Sequence, residues 1–152
     1  MLSDLTDGLS TARLISRRDI FGNFWRPALD PSRVPRHLRR MLIFKIFRAE
    51  EWRTLYEQGE TNGAPIDVTD GYIHFSTAEQ IEETAAKHFA GEDGLMVLAL
   101  DPRRLDTIKW EPSRGGALFP HLYRNLRLGD VLWARPVLLG PDGTHIFPDG
   151  VE

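Results

Sequence analysis

From Met41 onward the hydrophobic positions recur with a spacing that switches between strand-like and helix-like. In Leu42–Phe47 the residues Leu42, Phe44 and Ile46 share one face, while Ile43, Lys45 and Phe47 share the other, which predicts a strand. Ala49–Gln58 then reads as an amphipathic helix with Trp52, Leu55 and Tyr56 inward, stopped by Gly59. Thr61–Pro65 is predicted to be a loop, and Ile66–Val68 a short extended piece running into the Asp70-Gly71 turn. A strand over Tyr72–Phe75 feeds a helix over Thr77–Phe89 that buries Ile81, Thr84, Ala85, His88 and Phe89. Ser76-Thr77-Ala78-Glu79 has capping-box spacing at its start. Leu95–Leu100 is apolar throughout and predicts a central strand covered on both faces.

Thr107–Glu111 is expected to be a further strand, followed by a Gly-rich loop over Pro112–Leu118. Val131–Leu139 and His145–Phe147 read as closing strands joined by the Pro141-Asp142-Gly143 turn. Pro136 places the first of these at a sheet edge or a bulge. Strands dominate, helices cluster early and the strand–helix alternation is incomplete, so the pattern favours an α+β fold over a doubly wound one.

The first forty residues break this regularity. Phe24–Arg40 holds three prolines and no sustained period, which predicts a loop or disordered stretch. Eight Arg against four Asp give residues 1–40 a charge of +4, so with −3 overall the remainder carries −7. The division expected is a basic leader over 1–40, with Met41 as the natural start, and a single domain over 41–152. The alternative is a segment docked back through Phe21, Phe24 and Trp25.

A basic arm suggests nucleic acid, but an acidic body repels a phosphate backbone, and the arm has no motif that reads bases. Neither a membrane partner nor a transmembrane helix is expected, because no apolar run approaches the roughly 18–20 residues a span requires. With no cysteine in the chain, thiol nucleophiles, disulfides and zinc–thiolate sites are excluded, and a cytoplasmic location is expected.

Two stretches carry candidate chemistry. In Asp70–Gln80, DGYIHFSTAEQ, the alternation sends Ile73 and Phe75 to the core and Tyr72, His74 and Ser76 to the other side. His74, Ser76 and Thr77 then stand beside a helix N-terminus suited to phosphate or carboxylate. In Lys109–Tyr123, KWEPSRGGALFPHLY, a buried Trp110 would leave Glu111 facing a cleft or solvent, and His121 sits in a stiff Phe-Pro-His context. A carboxylate and an imidazole so placed can orient a ribose hydroxyl or act as acid and base. Taken singly, Glu111 suits a surface charge, and the two histidines suit structural hydrogen bonds. His74, Glu111, His121 and His145 lack local ligand spacing, so no metal site is expected.

IFKIFRAEEW, DGYIHFSTAEQ, LMVLALDPRRL and KWE followed by FPHLY together resemble a family of small bacterial proteins, domain-of-unknown-function family 952. The resemblance spans Met41 to about Leu139. That family looks like a divergent ADP-ribosyltransferase-like fold: a pair of small, mostly antiparallel sheets around an NAD-binding cleft, here with two helices packed early in the domain. The resemblance implies NAD as a candidate co-substrate and a nucleotide-like ligand. Lys45 would stand where the wider superfamily places His or Arg on the ribose. Ser76 and Thr77 would brace the site, and Gln80 and Tyr123 would join Lys45, His74, Ser76 and Thr77 in binding the cofactor. Glu111 or His121 would be the late catalytic residue, with His74 beside them. Arg124 follows FPHLY where a small residue is expected and recharges the rim. Three functions fit these readings: ribosyl transfer or glycohydrolysis on NAD, metabolite binding without turnover, and a protein-interaction domain.

Overall fold

The computed structural model describes residues 30–152. The residues before Asp30, including the weak helix and the aromatic docking segment considered above, lie outside the described part. Three sheets organise the rest, all with antiparallel neighbours. The largest joins β1 (Ile43–Arg48), β4 (Leu95–Leu100), β8 (Val131–Leu139) and β9 (His145–Ile146) in the order β1-β4-β8-β9. The second joins β3 (Ile73–His74), β6 (Leu118–Leu122) and β5 (Ile108–Pro112) in the order β3-β6-β5. A two-stranded ribbon pairs β2 (Glu60–Thr61) with β7 (Leu126–Arg127). The α+β class is as the sequence pattern indicated, while three antiparallel sheets stand where the resemblance implied a pair.

The alternation along β4 divides the core. Met96, Leu98 and Leu100 enter one buried cluster with Trp52, Leu55, Ile73, Phe75 and Leu122. Leu95, Val97 and Ala99 enter another with Phe44, Ile81, Ala85 and Trp133. Every residue of β4 is buried, as its uninterrupted apolar run requires. Each fully buried leucine-sized side chain here contributes about 1.5–3 kcal/mol relative to exposure. On β1, Ile43 and Phe47 share the first cluster, so Lys45 between them is forced toward an apolar interior and needs a buried partner.

Helix α1 (Arg36–Arg39) precedes β1, and α2 (Ala49–Gln58) follows it and packs Trp52 and Leu55 inward. Its end is at Gly59, whose φ of 80° is the left-handed conformation expected of a helix-stopping glycine. Helix α4 (Ala78–His88) packs Ile81 and Ala85 on the opposite side of the large sheet. Pro136 pairs with Met96 on one side of β8, while β9 reaches only Leu138 and Leu139, so the proline sits on a locally free edge. No helix among the described residues is long and apolar enough to cross a membrane.

Three expectations are corrected, and one strand is added. Ile66–Val68 is not extended but part of α3 (Pro65–Asp70), which turns Asp67 inward and leaves Ile66 and Val68 exposed. Pro65 at the first helical turn, where no amide donor is needed, favours this helix. Leu118–Leu122 is a strand despite Pro120, because the β5 partner of that residue is the outward-facing Trp110. Trp110 itself is 45% exposed rather than buried. The segment Asp30–Arg40, expected within a disordered leader, is folded onto the domain. Val34 is buried in the core, and Arg39 donates to the carbonyls of Val34 and Ser32 at 2.8 and 3.0 Å.

Candidate active site

The second sheet sets its two faces by simple alternation. Ile73 pairs with Leu122 and points into the core, so the next pair, His74 with His121, points the other way. The two imidazole rings lie 5.2 Å apart, edge to face. Tyr72 joins the same face, stacked on His121 at 4.2 Å and tilted against His74 at 4.7 Å and Tyr123 at 5.2 Å.

Each imidazole is tied to a carboxylate through Nδ1. His121 Nδ1 meets Glu111 Oε2 at 2.7 Å, and the Tyr123 hydroxyl donates to the two oxygens of Glu111 at 2.8 and 3.0 Å. With Nδ1–H directed at the carboxylate, Nε2 of a neutral His121 keeps its lone pair, with no partner among the described residues. The hydrogen bonds from His121 and then Tyr123 hold the Glu111 carboxyl below its ordinary range. The same bond pushes the Tyr123 phenol up to about 12. Tyr123 in the Glu111→Gln variant should therefore ionise closer to the ordinary 10.0. The ring's NMR chemical shifts against pH would show this, and an unchanged midpoint would break the assigned bond.

Asp67 anchors the other half, and no motif had singled it out. Its Oδ2 accepts the Ala64 amide at 2.7 Å and the Lys45 ammonium at 2.7 Å, while Lys45 also reaches Oδ1 at 2.9 Å. Oδ1 further accepts the His74 amide at 3.0 Å and faces His74 Nδ1 at 2.6 Å. On the far side of that ring, Nε2 lies 2.9 Å from Asp70. Burial pushes the Asp67 carboxyl up, but the bonds from His74 and Lys45 outweigh it and leave it below the ordinary value. Burial lowers the Lys45 ammonium, and Asp67 offsets only part of that.

Gly63 makes room for this carboxylate. A β-carbon there would stand 2.4 Å from Asp67 Oδ2, on a backbone with φ of +99°. Gly63→Ala is accordingly expected to destabilise the domain by about 2 kcal/mol or more, from overpacking added to backbone strain. A urea midpoint equal to that of the parent would contradict this.

The structure brings His74, His121, Glu111 and Tyr123 together, and it directs the other candidates elsewhere. Lys45 was expected on a ribose, but its ammonium is buried and given to Asp67. Ser76 was expected to share the face of His74. Strand β3 ends at His74, however, and the chain crosses to bridge β1 through Phe44, so the Ser76 hydroxyl is buried against Thr84 at 3.0 Å. Capping involves Thr77 and Gln80 rather than Ser76 and Glu79. The Gln80 carbonyl accepts the Thr77 amide at 3.0 Å, and its Nε2 donates to the Leu118 carbonyl at 2.7 Å. Thr77 lines a separate groove with Leu42, Pro102, Ile108 and Trp110. Arg124 does not charge a rim: it is held by Asp130 and Asp106 at 2.8 and 2.6 Å. His145 Nε2 donates to the Glu92 carbonyl at 2.8 Å, apart from this cluster. Asp67 and Asp70 were missed, and the one signal for them was their closeness in sequence to His74; Tyr72 was placed on the face of His74 by alternation but given no role.

The model of the family described as "Protein of unknown function (DUF952)" matches residues 46–134, more than half of the chain. The chain belongs to that family. It is also similar to protein CC0527 from Caulobacter crescentus. A crystal structure of CC0527 is 43% identical with a TM-score of 0.67, covering 72% of this chain and 97% of that one. A crystal structure of a double mutant is 42% identical with a TM-score of 0.69 and the same coverage. A solution NMR structure is 45% identical with a TM-score of 0.63, covering 68% of this chain and 90% of that one. None of the curated proteins matches the chain. The expected membership of domain-of-unknown-function family 952 is thus borne out, and the matched stretch contains Lys45's neighbour Ile46, both imidazoles, Asp67 and Glu111.

Proposed function

We propose that the imidazole–tyrosine face binds NAD or an ADP-ribose derivative and that Glu111 acts at the anomeric carbon of its ribose. The observation that carries this reading is the state of Glu111: an ionised carboxylate, held by His121 and Tyr123, whose rings pack against Tyr72. A carboxylate fixed in this way stabilises positive charge developing at the anomeric carbon as nicotinamide departs. His121 Nε2 is a base for the incoming hydroxyl. The tyrosine rings offer faces on which a nicotinamide or adenine can stack. The fold expected of family 952 from the sequence, an ADP-ribosyltransferase-like one, points to the same choice.

A second reading, binding without turnover, is favoured by the openness of this face. The Glu111 side chain is 35% exposed and Tyr123 39%, so no described element closes over the carboxylate to exclude water. One experiment separates the two readings. The protein is incubated with NAD and with ADP-ribose while melting temperature and nicotinamide release are followed. Binding raises the melting temperature with ligand concentration, by about 2.7 kcal/mol of stability at a hundred times Kd. Turnover adds nicotinamide release. An unmoved melting temperature with both ligands and no nicotinamide would overturn both readings.

A further inference from the structure

Strand β5 ends the second sheet, with no strand beyond it among the described residues. Its backbone directions follow from its register. Tyr123 donates to the Thr107 carbonyl and Ser113 to the Ala117 carbonyl, and the pairs between them run Lys109 with His121 and Glu111 with Phe119. Odd-numbered residues thus turn their peptide groups toward β6, and Ile108, Trp110 and Pro112 turn theirs outward. A free edge of this kind is a template for another strand. It also carries unusual apolar exposure. Trp110 is 45% exposed, and Leu118, opposite Pro112 on the neighbouring strand, is 52% exposed.

The five residues Ile108-Lys109-Trp110-Glu111-Pro112 are complementary to themselves. When a second copy is laid antiparallel about a two-fold axis at Trp110, each residue meets the one equally far on the other side of the centre. Trp110 then faces the partner's Trp110 with two reciprocal amide–carbonyl bonds. Ile108 donates its N–H to the carbonyl of the partner's Pro112. Lys109 stands opposite the partner's Glu111 in a non-hydrogen-bonded pair, where side chains approach most closely. Pro112 lacks an amide donor, but this register asks only for its carbonyl, and its ring ends the ladder there. A lone edge lysine discourages pairing. In this arrangement its counter-charge is the partner's Glu111, directly opposite.

We infer that β5 is a homodimerisation edge, in which two copies of this chain extend their sheets through Trp110 and through two Lys109–Glu111 pairs. The interface is short, so the dimer is weak and concentration-dependent. It shares Glu111 with the imidazole face and sets the partner's Lys109 beside that carboxylate.

Sedimentation equilibrium of the full chain over a wide concentration range tests this. The weight-average mass should rise from the monomer's 17.4 kDa toward twice that value. Trp110→Asp should keep it at the monomer. Lys109→Glu should weaken association about tenfold or more by setting like charges opposite one another. Combining Lys109→Glu with Glu111→Lys should restore association, because the two-fold keeps each pair complementary. Melting curves establish that each variant is folded, and Lys109, being exposed, gives a charge variant that tests the edge even if Trp110→Asp unfolds. A wild-type mass that stays at the monomer overturns the inference. So does a dimer indifferent to the folded variants, or a doubly reversed chain that stays as weak as Lys109→Glu alone.

Discussion

Replacing Asp67 with alanine is expected to destabilise the domain by about 3–5 kcal/mol, the usual consequence of stripping one partner from a buried ion pair. Four groups lose their acceptor together: the Lys45 ammonium, the Ala64 and His74 amides, and His74 Nδ1. Lys45 stays enclosed by Ile43, Phe47 and their neighbours, where a bare charge is most costly. Adding Lys45→Met to the alanine variant should recover part of the loss, since it removes the stranded charge and leaves only the orphaned amides and imidazole. Urea denaturation followed by tryptophan fluorescence measures both. Equal midpoints for the parent and Asp67→Ala would refute the role given to this carboxylate.

The same carboxylate sets an acid limit. Its folded-state pKa is below the ordinary 3.8, so the native state releases this proton more readily than the unfolded chain does. The stability it contributes is fully present above that ordinary value. It is lost as the pH falls through the lower, folded value.

Glu111→Gln should reduce nicotinamide release on the order of 100- to 1000-fold while leaving ligand binding largely intact. Glutamine keeps the shape and one acceptor for Tyr123, but it carries no charge to set against a developing oxocarbenium ion. The melting-temperature rise with ADP-ribose should therefore persist in this variant, separating a lost reaction from a lost site. Release retained within threefold of the parent would remove Glu111 from the chemistry.

How much of this was legible in the chain depends on whether local pattern or distant partners decide each position. Strand β4 and helix α2 were readable because burial on both faces and a glycine stop leave direct marks in the sequence. His74 and His121 were readable as candidates, but their pairing depends on the register of β3 with β6, which leaves no local mark. Helix α3 was not readable. Its apolar residues, Ile66 and Val68, face solvent and its aspartate faces inward, the reverse of the usual amphipathic order. That reversal is sensible only once Lys45, 22 residues earlier, is seen to need a counter-ion. Ser76 misled for a similar reason: alternation from His74 holds only while the chain stays in β3, and it leaves at once to pair with Phe44. Trp110 looked like core and is instead an exposed side chain on a free edge, a distinction that depends on which strands lie alongside it.

The two imidazoles and Glu111 make up the proposed ligand-binding face, and the NMR resonances of the histidine rings report on it directly. On titration with ADP-ribose, the His74 and His121 ring signals are predicted to move together along one saturating curve, with His37, His88 and His145 unmoved. Rings of His74 and His121 that stay still at saturating ligand, or that shift no more than those three, would contradict it.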